Sequence, residues 1–356
     1  MTLRIPGTGQ SACHDEAGQE ILCQGSGQDA EFPRPSPTPR FILRNELVED
    51  ALTGLVWTRS ANILGYPLPW AEALATVAGL NREGFLGHGD WRLPNRRELR
   101  SLVCHGASRP ALPPGHPFRD VFLGWYWTSS TKAGQTTYAW NVHFEGGRMF
   151  YSRKDEYRLL WPVRGESGVL ARTGQTACYD AAGLERLCVE MGAGMEVGTG
   201  QDGELRRGVA WPSPRFERVA GAVPGSVPGA MQDRLTGLVW LAPERLPREV
   251  FTWRGALDFV AEGGSLGPGW RLPDINELES LVDAGRANPA LPPELLAGEG
   301  DGDAASSTGE GFWSSTTSGY DPAWAYVLYA QKGAVGVGFK PGREFHLWPV
   351  LRASGR

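Results

Sequence analysis

The sequence predicts an α+β fold, repeated twice along the chain. Three observations carry that reading. Six blocks of residues recur in the same order in two parts of the 356-residue chain, a matched cysteine pair opens each part, and each part then passes from helical to strand-like spacing of its apolar residues. The first block, Thr8-Gly9-Gln10 with Cys13, Asp15, Gly18 and Cys23, returns as Thr173-Gly174-Gln175 with Cys178, Asp180, Gly183 and Cys188. Pro39-Arg40-Phe41 returns as Pro214-Arg215-Phe216, and Thr53-Gly54-Leu55-Val56-Trp57 as Thr236-Gly237-Leu238-Val239-Trp240. Trp91-Arg92-Leu93-Pro94 returns as Trp270-Arg271-Leu272-Pro273. Trp127-Thr128-Ser129-Ser130-Thr131 returns as Trp313-Ser314-Ser315-Thr316-Thr317, and Trp161-Pro162-Val163 as Trp348-Pro349-Val350. The offset drifts only from 165 to 187. A period this long means two domains, set here at 1–165 and 166–356, each with its own N-terminal cysteine hairpin.

The elements follow in order. Cys13–Cys23 and Cys178–Cys188 each bracket an Asp-x-x-Gly turn signal, so the two thiols of a pair can meet across a short hairpin. A disulfide is the leading reading and implies an oxidising compartment. A zinc site and a redox-active pair are the rivals, although neither finds its usual Cys-x-x-Cys spacing here. Cys104 stands apart, with Asp283 at the matching position. Phe32 to Pro39 is too rich in proline for regular structure. Leu52 to Trp57 reads as a strand, led in by an Asp50-to-Gly54 turn region. Trp70, Ala73, Leu74, Val77 and Leu80 are spaced as one face of a helix, with a counterpart at Trp253 to Ala261. Asn95 with Glu98, and Asp274 with Glu277, form capping-box patterns that start a second helix in each copy. In Tyr138 to Phe144, Asn141 and His143 alternate with Tyr138, Trp140, Val142 and Phe144. Gly146-Gly147 signals a hairpin, and Met149 to Arg153 and Leu159 to Arg164 are the closing strands.

Composition narrows the function. Hydrophobic residues make up 41% and charged residues 21%, which is ordinary for a globular protein. The net charge of −5 argues against broad nucleic-acid binding and against adsorption on anionic membranes. No apolar run approaches the length of a membrane span. Met1 to Gln10 shows no signal-peptide core, so a secreted, periplasmic or cell-surface location rests on the cysteines.

Several motifs invite chemistry and fail on context. Gly198-Thr199-Gly200-Gln201-Asp202-Gly203 matches a dinucleotide fingerprint, and Gly25 to Ala30 nearly does, but a cysteine hairpin precedes each where a buried strand is needed. Ser129 to Lys132 matches a Ser-x-x-Lys pattern, but it falls in a strand and the second copy has no lysine there. Arg92 with Glu98 and Arg271 with Glu277 read as structural pairs. Asp301-Gly302-Asp303, within Gly298 to Gly311, lacks the further acidic ligands of a calcium loop and reads as a Gly/Ser/Asp loop. The tryptophans at 57, 91, 127 and 161, and at 240, 270, 313 and 348, recur and read as core. The unmatched aromatics Trp125, Tyr151, Tyr320 and Tyr329 are better ligand contacts.

The Thr-Gly-Leu-Val-Trp, Trp-Arg-Leu-Pro and Trp-Pro-Val blocks, in this order and twice, resemble the Lcl C-terminal domain family, also catalogued as a domain of unknown function. That resemblance implies tandem C-type-lectin-like modules, each with two helices packed on a small twisted antiparallel sheet. It also implies an exposed ligand-binding role. The founding member is an adhesin thought to bind glycosaminoglycans. This chain departs from it in its negative charge, which repels a polyanion, and in lacking collagen-like repeats. The lectin calcium signatures and the late cysteine pair of formylglycine-forming enzymes are missing.

The expectation is a non-catalytic binding or adhesion protein for a glycan or protein partner, with no cofactor, metal, nucleic acid or membrane insertion. The alternative is a structural or interaction subunit of an extracellular assembly. The candidate contacts, placed on the outward face of the closing sheets and their loops, are Asn141, His143, Arg148, Tyr151, Tyr320, Tyr329 and Lys332.

Overall fold

The computed structural model describes residues 2–192, 195–219, 225–262, 266–296 and 310–352. The loop around Asp301 to Asp303 lies outside them.

Arm 1 runs to Arg34 and holds the paired strands β1 (Cys13–His14) and β2 (Glu20–Ile21) and a 3-10 turn at Asp29–Glu31. Module 1 holds β3 (Phe41–Arg44), β4 (Leu47–Asp50), β5 (Val56–Thr58), α1 (Trp70–Arg82), α2 (Arg96–Arg100), β6 (Trp125–Thr131), β7 (Tyr138–His143), β8 (Met149–Arg153) and β9 (Val163–Arg164). Arm 2 holds β10 (Cys178–Tyr179), β11 (Glu185–Arg186), β12 (Val189–Gly192), β13 (Met195–Gly198) and α3 (Asp202–Leu205). Module 2 holds β14 (Phe216–Arg218), β15 (Met231–Asp233), β16 (Leu238–Trp240), α4 (Trp253–Ala261), β17 (Trp270–Arg271), α5 (Ile275–Ser280), β18 (Phe312–Thr317), β19 (Trp324–Tyr329), β20 (Ala334–Phe339) and β21 (Val350–Arg352).

These form an α+β architecture with short helices and small antiparallel sheets. In module 1 the strand order is β3-β4-β5-β9, and in module 2 it is β14-β15-β16-β21-β17. The last strand of each module therefore pairs with an early one, β9 with β5 and β21 with β16. The strands β6, β7 and β8 pair in sequence order, as do β18, β19 and β20.

The repeated blocks make the same contacts in both modules. All eight recurring tryptophans are at most 5% exposed. Buried indole N–H groups need acceptors, and three matched pairs of tryptophans find backbone carbonyls at equivalent places. Trp70 donates to Thr128 O and Trp253 to Ser314 O, Trp127 to Leu68 O and Trp313 to Phe251 O, Trp161 to Thr58 O and Trp348 to Leu241 O, all at 2.7–3.1 Å. Both capping boxes form. The Asn95 and Asp274 side chains accept from the amides two and three residues on, and the Glu98 and Glu277 carboxylates accept from the cap amides at 2.9 and 3.0 Å. Arg92 and Arg271 brace those glutamates at 2.6 Å, which bears out their structural reading.

Two strands are shorter than expected. Asp50 accepts from Leu52 N (3.0 Å) and Thr53 Oγ1 (2.9 Å), and Gly54 adopts φ +77. The expected turn after Asp50 therefore forms, and the strand begins only at Val56 rather than at Leu52. The stretch from Leu159 is irregular until Val163. The Asp50 turn is pinned by Arg40, which forks onto the carboxylate (3.0 and 2.9 Å) and donates to Ser101 O at the end of α2. Arg215, Asp233 and Ser280 O repeat that clamp.

The cysteines pair as expected, Cys13 with Cys23 and Cys178 with Cys188, and Cys104 is buried outside both disulfides. The division of the chain differs from the cut at 165. The two compact units are Met1–Arg34 with Trp211–Arg356, and Pro35–Ala210. Arm 1 therefore seats on module 2, and arm 2 seats on module 1. The repeat alone does not reveal this, because both modules carry the same blocks and present equivalent anchoring groups.

Within the unit of module 1, Asp202 of arm 2 accepts from Ser130 Oγ (2.5 Å) and from Thr173 Oγ1 (2.7 Å). The Gln175 amide bonds the Thr131 backbone, and Arg97 donates to Arg172 O at 2.8 Å. Lys154 lies over the Trp70 ring and donates to Tyr179 O (3.3 Å) and Asp180 O (3.0 Å). Within the unit of module 2 the matching residues do the same. Thr316 donates to Asp29 (2.8 Å), Gln10 bonds Thr317 O, Asn276 donates to Pro6 O (3.1 Å), and Lys340 over Trp253 reaches His14 O and Asp15 O.

Candidate functional site

The site is a groove on module 1 made from residues that the repeat does not share. Three segments line it: Asn62, Gly65 and Pro67 between β5 and α1; Phe122, Leu123, Gly124 and Trp125 leading into β6; and Tyr157, Arg158 and Leu159 after β8. Its volume is about 500 Å³. Backbone bonds fix the walls. Leu68 and Arg158 exchange N–H···O bonds at 2.9 and 3.0 Å, and Leu159 N donates to Trp125 O at 3.2 Å.

The Phe122 ring folds over the backbone of Gly124, and a Cβ there would force that exposed ring to move. Tyr126 Oη accepts from Phe122 N at 2.7 Å, which holds the bend. Asn62 accepts from Gly65 N at 3.0 Å, tightening the facing wall. Phe122 and Tyr157 are 57% and 62% exposed, and Leu123 is 42% exposed. Large apolar groups so exposed beside one concavity are unusual for surface used by nothing. Arg158 brings a guanidinium, paired with a carboxylate, to the wall. Its guanidinium bonds Glu156 (2.6 Å), Ser152 Oγ (2.9 Å) and Tyr157 O (2.7 Å).

Module 2 does not repeat these residues. Gly311 stands at the Trp125 position and Phe345 at the Arg158 position, by count from the shared Trp313 and Trp348. The Phe345 ring covers Gly311 and meets Trp313 edge-on at 4.9 Å.

The four candidate contacts of module 1 do not form one surface. Asn141 and His143 are 1% and 8% exposed, which corrects their placement on an outward face. They sit opposite Trp127 and Trp125 in the β6–β7 register, on the side of the sheet that meets α1. The other side is covered as well, with Arg96 of α2 over Trp140 at 4.0 Å. Strict alternation therefore marks two buried faces here. His143 packs against Trp125 with the rings tilted and their centroids 4.5 Å apart, behind the groove, and burial followed by the nearby Arg148 charge lowers its pKa. Arg148 is exposed in the turn after β7. Tyr151 lies on the opposite face, edge-on to Trp140 at 5.4 Å. In module 2, Tyr320 and Lys332 are exposed, and Tyr329 is half-buried against Phe345 at 5.8 Å. Of the aromatics marked as unmatched, Trp125 is the one lining the groove. Phe122, Tyr157 and Arg158 were missed. The signal available for them was that they interrupt or follow repeat blocks without a counterpart.

Gly198, Thr199 and Gly200 of the glycine fingerprint line a second cavity of about 380 Å³ beside α1. A strand and a helix do flank it, but the helix is a single turn. The Glu204 carboxylate accepts from Gly200 N (2.9 Å) and Thr199 Oγ1 (2.8 Å), where a phosphate would have to bind. Glu31 does the same to Gly25 N and Gly27 N in arm 1. Ser129, the serine of the Ser-x-x-Lys pattern, is buried, and Lys132 donates to its neighbour's carbonyl at 2.6 Å.

The family profile described as the Lcl C-terminal domain matches residues 46–164 and 229–351. No curated protein is a match.

Proposed function

The chain belongs to the Lcl C-terminal domain family, which it carries twice, and from that premise we propose that it is a non-catalytic, exported binding protein whose module 1 groove takes a glycan. The observation that carries this reading is the pair of exposed rings, Phe122 and Tyr157, beside a concavity with Trp125 and Arg158 in its walls. The C–H face of a sugar ring stacks on such aromatics, while its hydroxyls need polar groups at the edge, here Arg158 and Asn62. A C-type-lectin-like module is consistent with the pairing of early and last strands in each module. The two disulfides fit an oxidising compartment, and among the described residues no helix is long and apolar enough to cross a membrane.

The test is a glycan array with the intact chain, with and without a chelator, beside Tyr157→Ala and Phe122→Ala. Stacking worth about 0.5–1.5 kcal/mol per ring predicts roughly 2- to 13-fold weaker binding for each variant. Binding that ignores both substitutions refutes the groove. A blank array refutes the glycan reading and favours a protein partner in an extracellular assembly. That second reading draws on Leu22 and Leu187, which stand beside the second cysteine of each arm and are 88% and 75% exposed.

A further inference from the structure

We propose that arm 1 is exchangeable between chains, so that residues 2–34 of one copy seat on module 2 of a second copy and are replaced by that copy's own arm. Four observations lead there. First, the seat is non-covalent: Thr316 to Asp29, Asn276 to Pro6 O, Lys340 to His14 O and Asp15 O, and the Arg34 ion pairs hold arm 1 to module 2. The same contacts are available to an arm from either chain, which is the condition for exchange at low cost.

Second, the covalent continuation of arm 1 leads into module 1. Pro33, Pro35, Pro37 and Pro39 occupy alternate positions there, Pro35 to Pro39 are exposed, and residues 33–37 have no regular structure. A proline-rich connector is extended and semi-rigid, so it sets arm 1 off from the start of module 1 as a separate segment.

Third, arm 2 stands in a different relation to its seat. It follows module 1 directly in the chain, and Arg97 and Arg172 are separated by only 75 residues, against 270 between Asn276 and Pro6. Module 1 is therefore supplied locally, and module 2 draws on a remote segment.

Fourth, the two seats differ in charge at one matched position, which gives the exchange a defined pairing. Arg34 bonds Asp274 at 2.6 Å and Glu277 at 2.8 Å. Module 1 has neutral Asn95 where module 2 has Asp274, and Arg207 of arm 2 turns instead to Glu166. Arm 1 is thus matched to module 2 of any copy and lacks that carboxylate partner on module 1.

Charge reversal tests the idea in the full chain. Arg34→Glu sets a carboxylate on the arm against Asp274 within one molecule, and Asp274→Arg sets a second guanidinium on the seat against Arg34. A reciprocal pair of one chain of each kind restores opposite charges at both seats. Mixing the two variants is expected to produce a 1:1 species at twice the 38.7 kDa chain mass by native mass spectrometry. Each variant alone gives less of its dimer. A mixture that stays at single-chain mass, while the double variant Arg34→Glu/Asp274→Arg is a folded monomer, overturns the proposal. If a single variant fails to fold, light and isotope-heavy wild-type chains are mixed in dilute denaturant and returned to buffer. Mixed-mass dimers support exchange, and absence of dimer at every concentration overturns it.

Discussion

Replacing Asp202 with asparagine removes a buried carboxylate that titrates in an accessible range. Asp202 is 2% exposed, and burial raises its pKa from 3.8 to about 6, against the opposing hydrogen bonds from Ser130 and Thr173. At about 1.4 kcal/mol for each tenfold change in proton affinity, that rise corresponds to about 3 kcal/mol. The sign follows from proton counting. The folded chain holds this proton more tightly than the unfolded chain, so the stability it confers is complete below about pH 4. That stability is lost as pH rises to about 6, and the loss stays constant above it. Both hydroxyls donate to Oδ2, while Oδ1 is buried without a partner. An asparagine with its carbonyl at the Oδ2 position keeps both bonds and leaves one amide group unpaired, at about 1–3 kcal/mol. The expected outcome is Asp202→Asn less stable than wild type near pH 4 and level with it or more stable at pH 7. The measurement is urea denaturation of both proteins at half-unit steps between those values. Other acids titrate alike in the two proteins and cancel in the difference. A difference that does not change with pH refutes the buried-carboxylate reasoning.

Other outcomes are equally direct. Gly124→Ala sets a Cβ against the exposed Phe122 ring, which must rotate away; it is expected to weaken groove binding while leaving thermal unfolding nearly unchanged. Asp233→Ala leaves the Arg215 guanidinium, 1% exposed, without its carboxylate and is expected to cost about 3–5 kcal/mol by denaturant titration. Trp127→Ala, in the cluster with Trp70, Trp91 and Leu160, is expected to cost about 3–5 kcal/mol by the same assay.

What could be read from the sequence was what is local in the chain. The capping boxes at Asn95 and Asp274, the α4 boundaries, the core tryptophans and both disulfides each depend on residues a few positions apart or on a repeat that marks them twice. The seating of the arms was not readable, because Ser130 and Thr316 are equivalent anchor positions and only the three-dimensional path decides between them. Asn141 shows a second limit. Period-two spacing correctly separates it from Trp140, but spacing cannot say that helices cover both sides of the sheet. The groove shows a third. Phe122 and Tyr157 lie in irregular segments, where no periodicity links them, and their proximity comes from the Leu68–Arg158 and Trp125–Leu159 backbone pairs.

The order of arms and modules also bears on how the chain duplicated. Module 1 is completed by the segment that follows it, so the self-sufficient cassette is a module and then an arm, 35–210, rather than the arm-then-module period that the blocks suggest. Module 2 obtains its arm from the segment that precedes module 1. A permuted chain opening at Pro35 and carrying arm 1 after module 2 would place each arm directly behind the module it completes.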